Sequence, residues 1–159
     1  FEAKKAIKSQ AIADFLAEWI EQQLPTQVHS EHWTMFFDGY KMLNGSGAGV
    51  VMVSPQGDML RYVLQIHFDS SNNEAEYEAL LYGLHMAISL GVRRLMVYGD
   101  SDLVVNQVMK EWDIRSPAMT GYCNAVMKLE KKFEGLELHH IPRLKNQAAE
   151  DLAKIGSKR

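Results

Sequence analysis

From position 71 to about position 90 the apolar residues recur at helical spacing, and Ser71 or Asn72 offers an N-cap just before them. At about 100° per residue, Glu76, Leu80, Gly83, Ala87 and Leu90 fall near the middle of an arc that also holds Ala75, Ala79, Leu84 and Met86. Glu74, Glu78 and His85 fall on the opposite side, which is expected to face water. Glu76 is therefore the exception among the glutamates. A carboxylate aimed into an apolar face is costly unless it is paired or holds a metal. The helix alone leaves both solutions open.

The same reading extends along the chain. Residues 7–23 form an amphipathic pattern, with Ile7, Ala11, Phe15, Leu16, Trp19 and Ile20 near one stripe, and Pro25 ends it. Residues 1–30 are expected to be a lead-in helix and linker, and residues 31–159 the domain proper. Residues 33–37 favour a strand, with Asp38-Gly39 as its turn signal. The glycine-rich stretch 44–49 reads as a flexible return into a second strand at 50–53. A tight turn at Pro55-Gln56-Gly57-Asp58 leads to a third strand at 59–68. After the Glu76 helix, Gly91 reads as a stop, and residues 94–98 as a short buried strand ending at Gly99-Asp100. A helix at 101–109 capped by Ser101, a helix at 119–133, a strand at 136–141 and a helix at 146–155 complete the chain. This order predicts an α/β fold: a mixed five-stranded sheet, three antiparallel strands and then parallel ones, with helices on both faces.

A chain of 159 residues fits one domain with a sizeable core. It has no apolar run long enough to span a membrane and no secretory signal pattern, so no membrane partner is expected. The single cysteine, Cys123, excludes an intrachain disulfide and suits a reducing, intracellular compartment. Its apolar neighbours make it a small core residue. The net charge of −3 neither supports nor excludes a nucleic-acid partner, because carboxylates gathered around a metal would also count as negative. The chain begins at Phe1 without a methionine and is expected to be a piece of something longer.

Two more carboxylates bear on Glu76. Asp38 stands at the end of the first strand and Asp100 at the end of the fourth. Strand ends in open α/β sheets form the crevice where ligands bind. If those strands are neighbours and the helix crosses them, three carboxylates converge. Such a cluster repels itself unless cations neutralise it, and hard oxygen ligands are what magnesium requires. Two such ions can activate a water and stabilise the leaving oxygen of a phosphodiester.

These residues also carry a resemblance. Thr34-Met35-Phe36-Phe37-Asp38-Gly39, Gly47-Ala48-Gly49-Val50-Val51, Asn72-Asn73-Glu74-Ala75-Glu76-Tyr77-Glu78-Ala79-Leu80 and Asp100-Ser101-Asp102-Leu103-Val104-Val105-Asn106-Gln107 occur in order at fitting spacing. Ile141-Pro142-Arg143-Leu144-Lys145-Asn146 and Ala149-Glu150-Asp151-Leu152-Ala153 complete the set. Over residues 32–156 the chain resembles a type 1 ribonuclease H domain, of the kind found in gypsy-type retrotransposon polyproteins of plants. The lead-in resembles the segment that follows the reverse transcriptase there.

The resemblance implies a ribonuclease H-like fold and endonucleolytic cleavage of RNA in RNA–DNA hybrids with two Mg2+ ions, Mn2+ being an alternative. It implies a reverse transcriptase domain in cis and a domain monomeric in isolation, working in cytoplasm, nucleus or a virus-like particle. Carried over by position, Asp38, Glu76 and Asp100 would be catalytic metal ligands, with Asp38 bridging both ions. Ser71, Asn72 and Asn73 would contact the hybrid, where the 2′-OH marks RNA, with Gly39, Ser101, Arg143 and Asn146 as further substrate contacts. Ser71 is equally a helix cap.

The chain departs from the family pattern in several places. The fourth acidic ligand, usually Asp, falls on Glu150, with Asp151 beside it as the alternative. Tyr40 replaces a usual small residue, and Asp102 a frequent Gln. The histidine that the cellular enzymes carry in a loop before the last helix has no counterpart, and His139 and His140 read as structural or exposed. These departures keep a rival reading open: a domesticated, catalytically impaired module that binds nucleic acid or a protein.

Overall fold

The computed structural model describes residues 32–109 and 117–158. The lead-in helix expected at 7–23 lies outside the described residues. Strands β1 (Trp33–Met42), β2 (Gly45–Val53) and β3 (Met59–Ile66) form an antiparallel meander. On the other side of β1, β4 (Arg94–Gly99) runs parallel to it, and β5 (Gly135–His140) parallel to β4. The sheet order is thus β3-β2-β1-β4-β5, the mixed five-stranded sheet that the pattern predicts. Helices α1 (Asn72–Ser89), α2 (Asp102–Val108), α3 (Pro117–Glu130) and α4 (Gln147–Ser157) complete it, the last entered through a 3-10 turn at Arg143–Asn146. None of the described helices is long and apolar enough to cross a membrane.

Alternate residues of β1 serve the two faces of the sheet. Met35 and Phe37 are fully buried under α1 together with Val50, Met52, Leu80 and Leu84. Each such side chain contributes roughly 1.5–3 kcal/mol of burial, which makes this face the main core. The opposite face of β1 and β2 receives α4.

Two local expectations give way to this packing. Asp38-Gly39 is not a turn: β1 runs straight through it, paired as Asp38↔Gly49 and Gly39↔Ala48, and turns only after Met42. The parallel ladder with β4 does stop just before it, at Phe37↔Gly99. Asp38 therefore stands where β1 emerges from between its neighbours, the crevice position expected of a strand end. The stretch 44–49 is likewise a strand from Gly45 onward. A Cβ on Gly49 would lie 2.3 Å from the Ala149 carbonyl oxygen, so glycine is there because α4 lies directly on the sheet. Gly39 is the counterpart on the other face: its Cβ would lie 2.3 Å from the Glu76 backbone nitrogen. The first turn of α1 is thereby set against β1.

Candidate active site

The position of Glu76 begins with the start of α1. Ser71 Oγ accepts from the Glu74 N–H at 3.1 Å, and the Glu74 carboxylate accepts from the Ser71 N–H at 2.7 Å. This reciprocal capping fixes the first turn, and with Gly39 beneath, Glu76 points into the sheet and is 7% exposed. Its Oε1 accepts from the Gly39 N–H at 2.9 Å. The other two glutamates are less free than the wheel implies. Glu74 belongs to the cap, and Glu78 is half-buried and accepts from the Tyr122 hydroxyl at 2.7 Å.

Asp38, Glu76 and Asp100 come together: one carboxylate oxygen from each lies within 4.8 Å of the others. Burial, and then the Asp100 charge, push the Asp38 carboxyl up to about 7, while a hydrogen bond with Glu76 opposes the rise. Burial, and then the Asp38 charge, push Glu76 up to about 9 against the pull of the Gly39 N–H. Burial first, and then the neighbouring carboxylate charge, disfavour the ionised form at both residues.

Asn146 ties the cluster to the C-terminal helix. It is 1% exposed, and its Nδ2 donates to the Phe37 carbonyl at 2.9 Å and to Asp100 Oδ2 at 3.0 Å. Expected as a substrate contact, it joins the end of β1 to Asp100, just past the end of β4. Its buried Oδ1 has no hydrogen-bond partner among the described residues. Ser101 caps α2, accepting from the Val104 N–H at 3.3 Å. Ser71 is engaged in its capping box, whereas Asn72 is exposed and Asn73 half-buried in the first turn of α1.

The fourth carboxylate has a different surrounding. Helix α4 turns Glu150 inward, 4% exposed, and Asp151 outward, where it accepts from Gln147 at 2.9 Å. Asp151 is thus not brought to the cluster. Glu150 is not among the three converging residues either. Its Oε1 accepts from Arg143 Nε at 3.2 Å and its Oε2 from Arg143 Nη2 at 2.7 Å. Lys154 Nζ adds a third contact at 3.0 Å to Oε2. The Arg143 hydrogen bonds, with Lys154 adding to them, hold this carboxyl down at about 2. Lys154 in turn lies 5.5 Å from the centre of the Tyr40 ring. The i,i+4 spacing from Glu150 is the local signal for this lysine, whereas its contact with Tyr40 leaves no mark in the sequence. His139 and His140 are exposed; His139 stacks on Tyr98 at 5.7 Å, and His140 lies 3.9 Å from Asp102.

A family model described as reverse transcriptase-like matches residues 36–156. Ribonuclease HI of Halobacterium salinarum is 32% identical over 120 residues, covering 74% of this chain and 60% of the relative. The bifunctional protein Rv2228c of Mycobacterium tuberculosis is 32% identical over 109 residues, covering 69% of this chain but 30% of the relative. The chain thus spans 60% and 30% of the length of these two relatives, less than two thirds in each case. Among solved structures, the Halobacterium RNase H1 superposes with a TM-score of 0.75 at 30% identity, covering 79% of this chain and 96% of that one. LC11-RNase H1, solved in complex with an RNA/DNA hybrid, superposes with a TM-score of 0.71 at 27% identity, covering 77% of this chain and 94% of that one. The family match runs from β1 into α4 and takes in every element that supplies the carboxylates. The chain therefore belongs to the reverse transcriptase-like family, as a ribonuclease H-like domain.

Proposed function

We propose that this domain hydrolyses the RNA strand of RNA–DNA hybrids with divalent cations, two Mg2+ or alternatively Mn2+, held at Asp38, Glu76 and Asp100. The convergence of those three side chains carries the reading. Three oxygen donors of the type magnesium prefers, two of them with carboxyls raised by burial and mutual repulsion, fit a divalent cation. The orphaned Asn146 Oδ1, on the side chain that contacts Asp100, offers a further acceptor for its hydration water. When bound, such cations supply activation of a water nucleophile and charge stabilisation at the phosphate.

The chain's own residues prepare the site. The Gly39 N–H orients Glu76, and Asn146 orients Asp100 while joining it to the end of β1. Asn72 and Asn73 open α1, a helix start that favours backbone phosphates, close to where the 2′-OH would distinguish RNA. The complex of LC11-RNase H1 with a hybrid supports the choice of substrate. The reverse transcriptase-like family and the lead-in resemblance support an origin in a plant gypsy-type polyprotein, beside a reverse transcriptase in cis.

The test is a labelled RNA–DNA hybrid with Mg2+, with Mn2+ and with chelator. Metal-dependent cutting of the RNA strand alone is expected. Asp38→Asn or Asp100→Asn removes several kcal/mol of charge stabilisation and should slow cutting by roughly 10³-fold. Undiminished cutting by either variant would refute the assignment. A second reading, a binding module without turnover, is favoured by one observation: the fourth carboxylate is already held by Arg143 and Lys154. Hybrid binding without cutting in either metal would select it.

A further inference from the structure

We propose that Lys41 and Ser46 form a latch on Ser70 that sets the start of α1, and with it Asn72 and Asn73, so that the pair controls hybrid affinity and not the chemical step. This rests on the nuclease reading above and names positioning residues for it.

The latch follows from the alternation of β1. Met35, Phe37, Gly39 and Lys41 are two apart and share the face that α1 covers. Their cross-strand partners on β2 are Met52, Val50, Ala48 and Ser46. The first three pairs lie under the helix, where the side chains of Met35, Phe37, Met52, Val50 and Ala48 are buried and Gly39 meets the first turn. The fourth pair, Lys41 and Ser46, is polar and lies where the chain has not yet become helical.

Both members of that pair reach the same residue. Ser70 Oγ donates to Ser46 Oγ at 2.9 Å, and Lys41 Nζ donates to the Ser70 carbonyl. Ser70 is 1% exposed and Ser46 3%, so breaking their bond leaves a buried hydroxyl unpaired. Lys41 also meets Asp69 at 3.0 Å, a surface pair that adds little. Ser70 immediately precedes Ser71, the N-cap of α1. Its side chain is thus held from β2 and its carbonyl from β1, one residue before the helix is capped.

Two anchors then place α1, with different consequences. The close approach of Gly39 and its N–H bond hold the helix at Glu76, beside the other carboxylates. The latch holds the chain ahead of the cap, and Asn72 and Asn73 lie between the two. Releasing the latch lets the helix start move while Glu76 stays against β1.

The experiment compares hybrid cleavage by the intact wild-type chain, Lys41→Met, Ser46→Ala and Ser70→Ala, with affinity measured on a hybrid of uncleavable linkage. Lys41→Met and Ser70→Ala should each raise KM and Kd about tenfold, the scale of one hydrogen bond to a charged or buried partner. Ser46→Ala should move both in the same direction. In all three, kcat should stay within about twofold, because Glu76 keeps its Gly39 anchor. Salt separates positioning from direct contact: a lysine on a phosphate contributes about 0.9 to the slope of log affinity against log salt. That slope should be the same in Lys41→Met as in the wild type. A slope reduced by about that amount would overturn the proposal, as would a loss confined to kcat. Unchanged KM and Kd in Lys41→Met or Ser70→Ala would overturn it equally. Each variant removes one contact, so any that folds by circular dichroism suffices. Amide hydrogen exchange at Glu74 and Ala75, whose N–H groups bond to Ser71, reads the latch without substrate. It should rise about tenfold in Lys41→Met, and unchanged exchange there would also overturn the latch. Faster exchange in the variant, beside a wild-type chain that neither binds nor cuts the hybrid, would count against the nuclease reading and not against the latch.

Discussion

Asp38→Asn should make the metal-free domain more stable at pH 8, although it removes a proposed catalytic group. Burial and the Asp100 charge raise the Asp38 carboxyl from 3.8 to about 7. A group raised on folding contributes stability that is complete below its unfolded value and is lost as the pH climbs through the folded one. At about 1.4 kcal/mol per pH unit, the ionised form costs the fold up to about 4 kcal/mol above pH 7. Because Asp38 and Glu76 share the penalty, about 2–4 kcal/mol is the expected gain from removing one charge. Asparagine keeps the size of the side chain, and its amide oxygen can accept from the protonated Glu76 carboxyl as the Asp38 carboxylate does. In chelator at pH 8 the melting midpoint should rise by roughly 5–15 °C for a domain of this size. The gain should shrink towards pH 5, where the wild-type carboxyl is protonated, and should narrow on adding Mn2+, which neutralises the wild-type cluster. The assay is thermal unfolding by circular dichroism across that pH range. A variant that melts below the wild type in chelator at pH 8, or a gain independent of pH, would refute the electrostatic account.

Two further variants probe the scaffold. Gly49→Ala puts a Cβ 2.3 Å from the Ala149 carbonyl oxygen and must push α4 off the sheet; a loss of about 3 kcal/mol in urea unfolding is expected, and a loss under 1 kcal/mol would show that α4 yields easily. Asn146→Ala removes the donors to Phe37 O and Asp100 Oδ2; it should cost about 2 kcal/mol and also slow hybrid cleavage, whereas unchanged cleavage would show that Asp100 needs no orientation.

By itself the sequence determined the order of the elements, the inward aim of Glu76 and the cap at Ser101, and narrowed the cap of the Glu76 helix to Ser71 or Asn72, because helical periodicity and capping are local properties that survive packing. The convergence of Asp38, Glu76 and Asp100 was legible as soon as strands one and four were taken as neighbours. Tertiary structure decided what local chemistry misreads. Asp38-Gly39 carries a turn signature, yet pairing with β2 keeps it extended. The glycines of 44–49 look flexible, yet Gly47 and Gly49 are the sheet's allowance for the backbone of α4. Glu150 and Asp151 are neighbours separated by about 100° around a helix, so only the docking of α4 could turn one inward and leave the other in water. Whether an inward carboxylate meets a metal or a guanidinium then depends on side chains seven residues before it and four after it, Arg143 and Lys154. The Lys154 contact is an i,i+4 pair within α4, whereas the Arg143 contact depends on the 3-10 turn that precedes the helix, a three-dimensional relation that spacing along the chain does not encode.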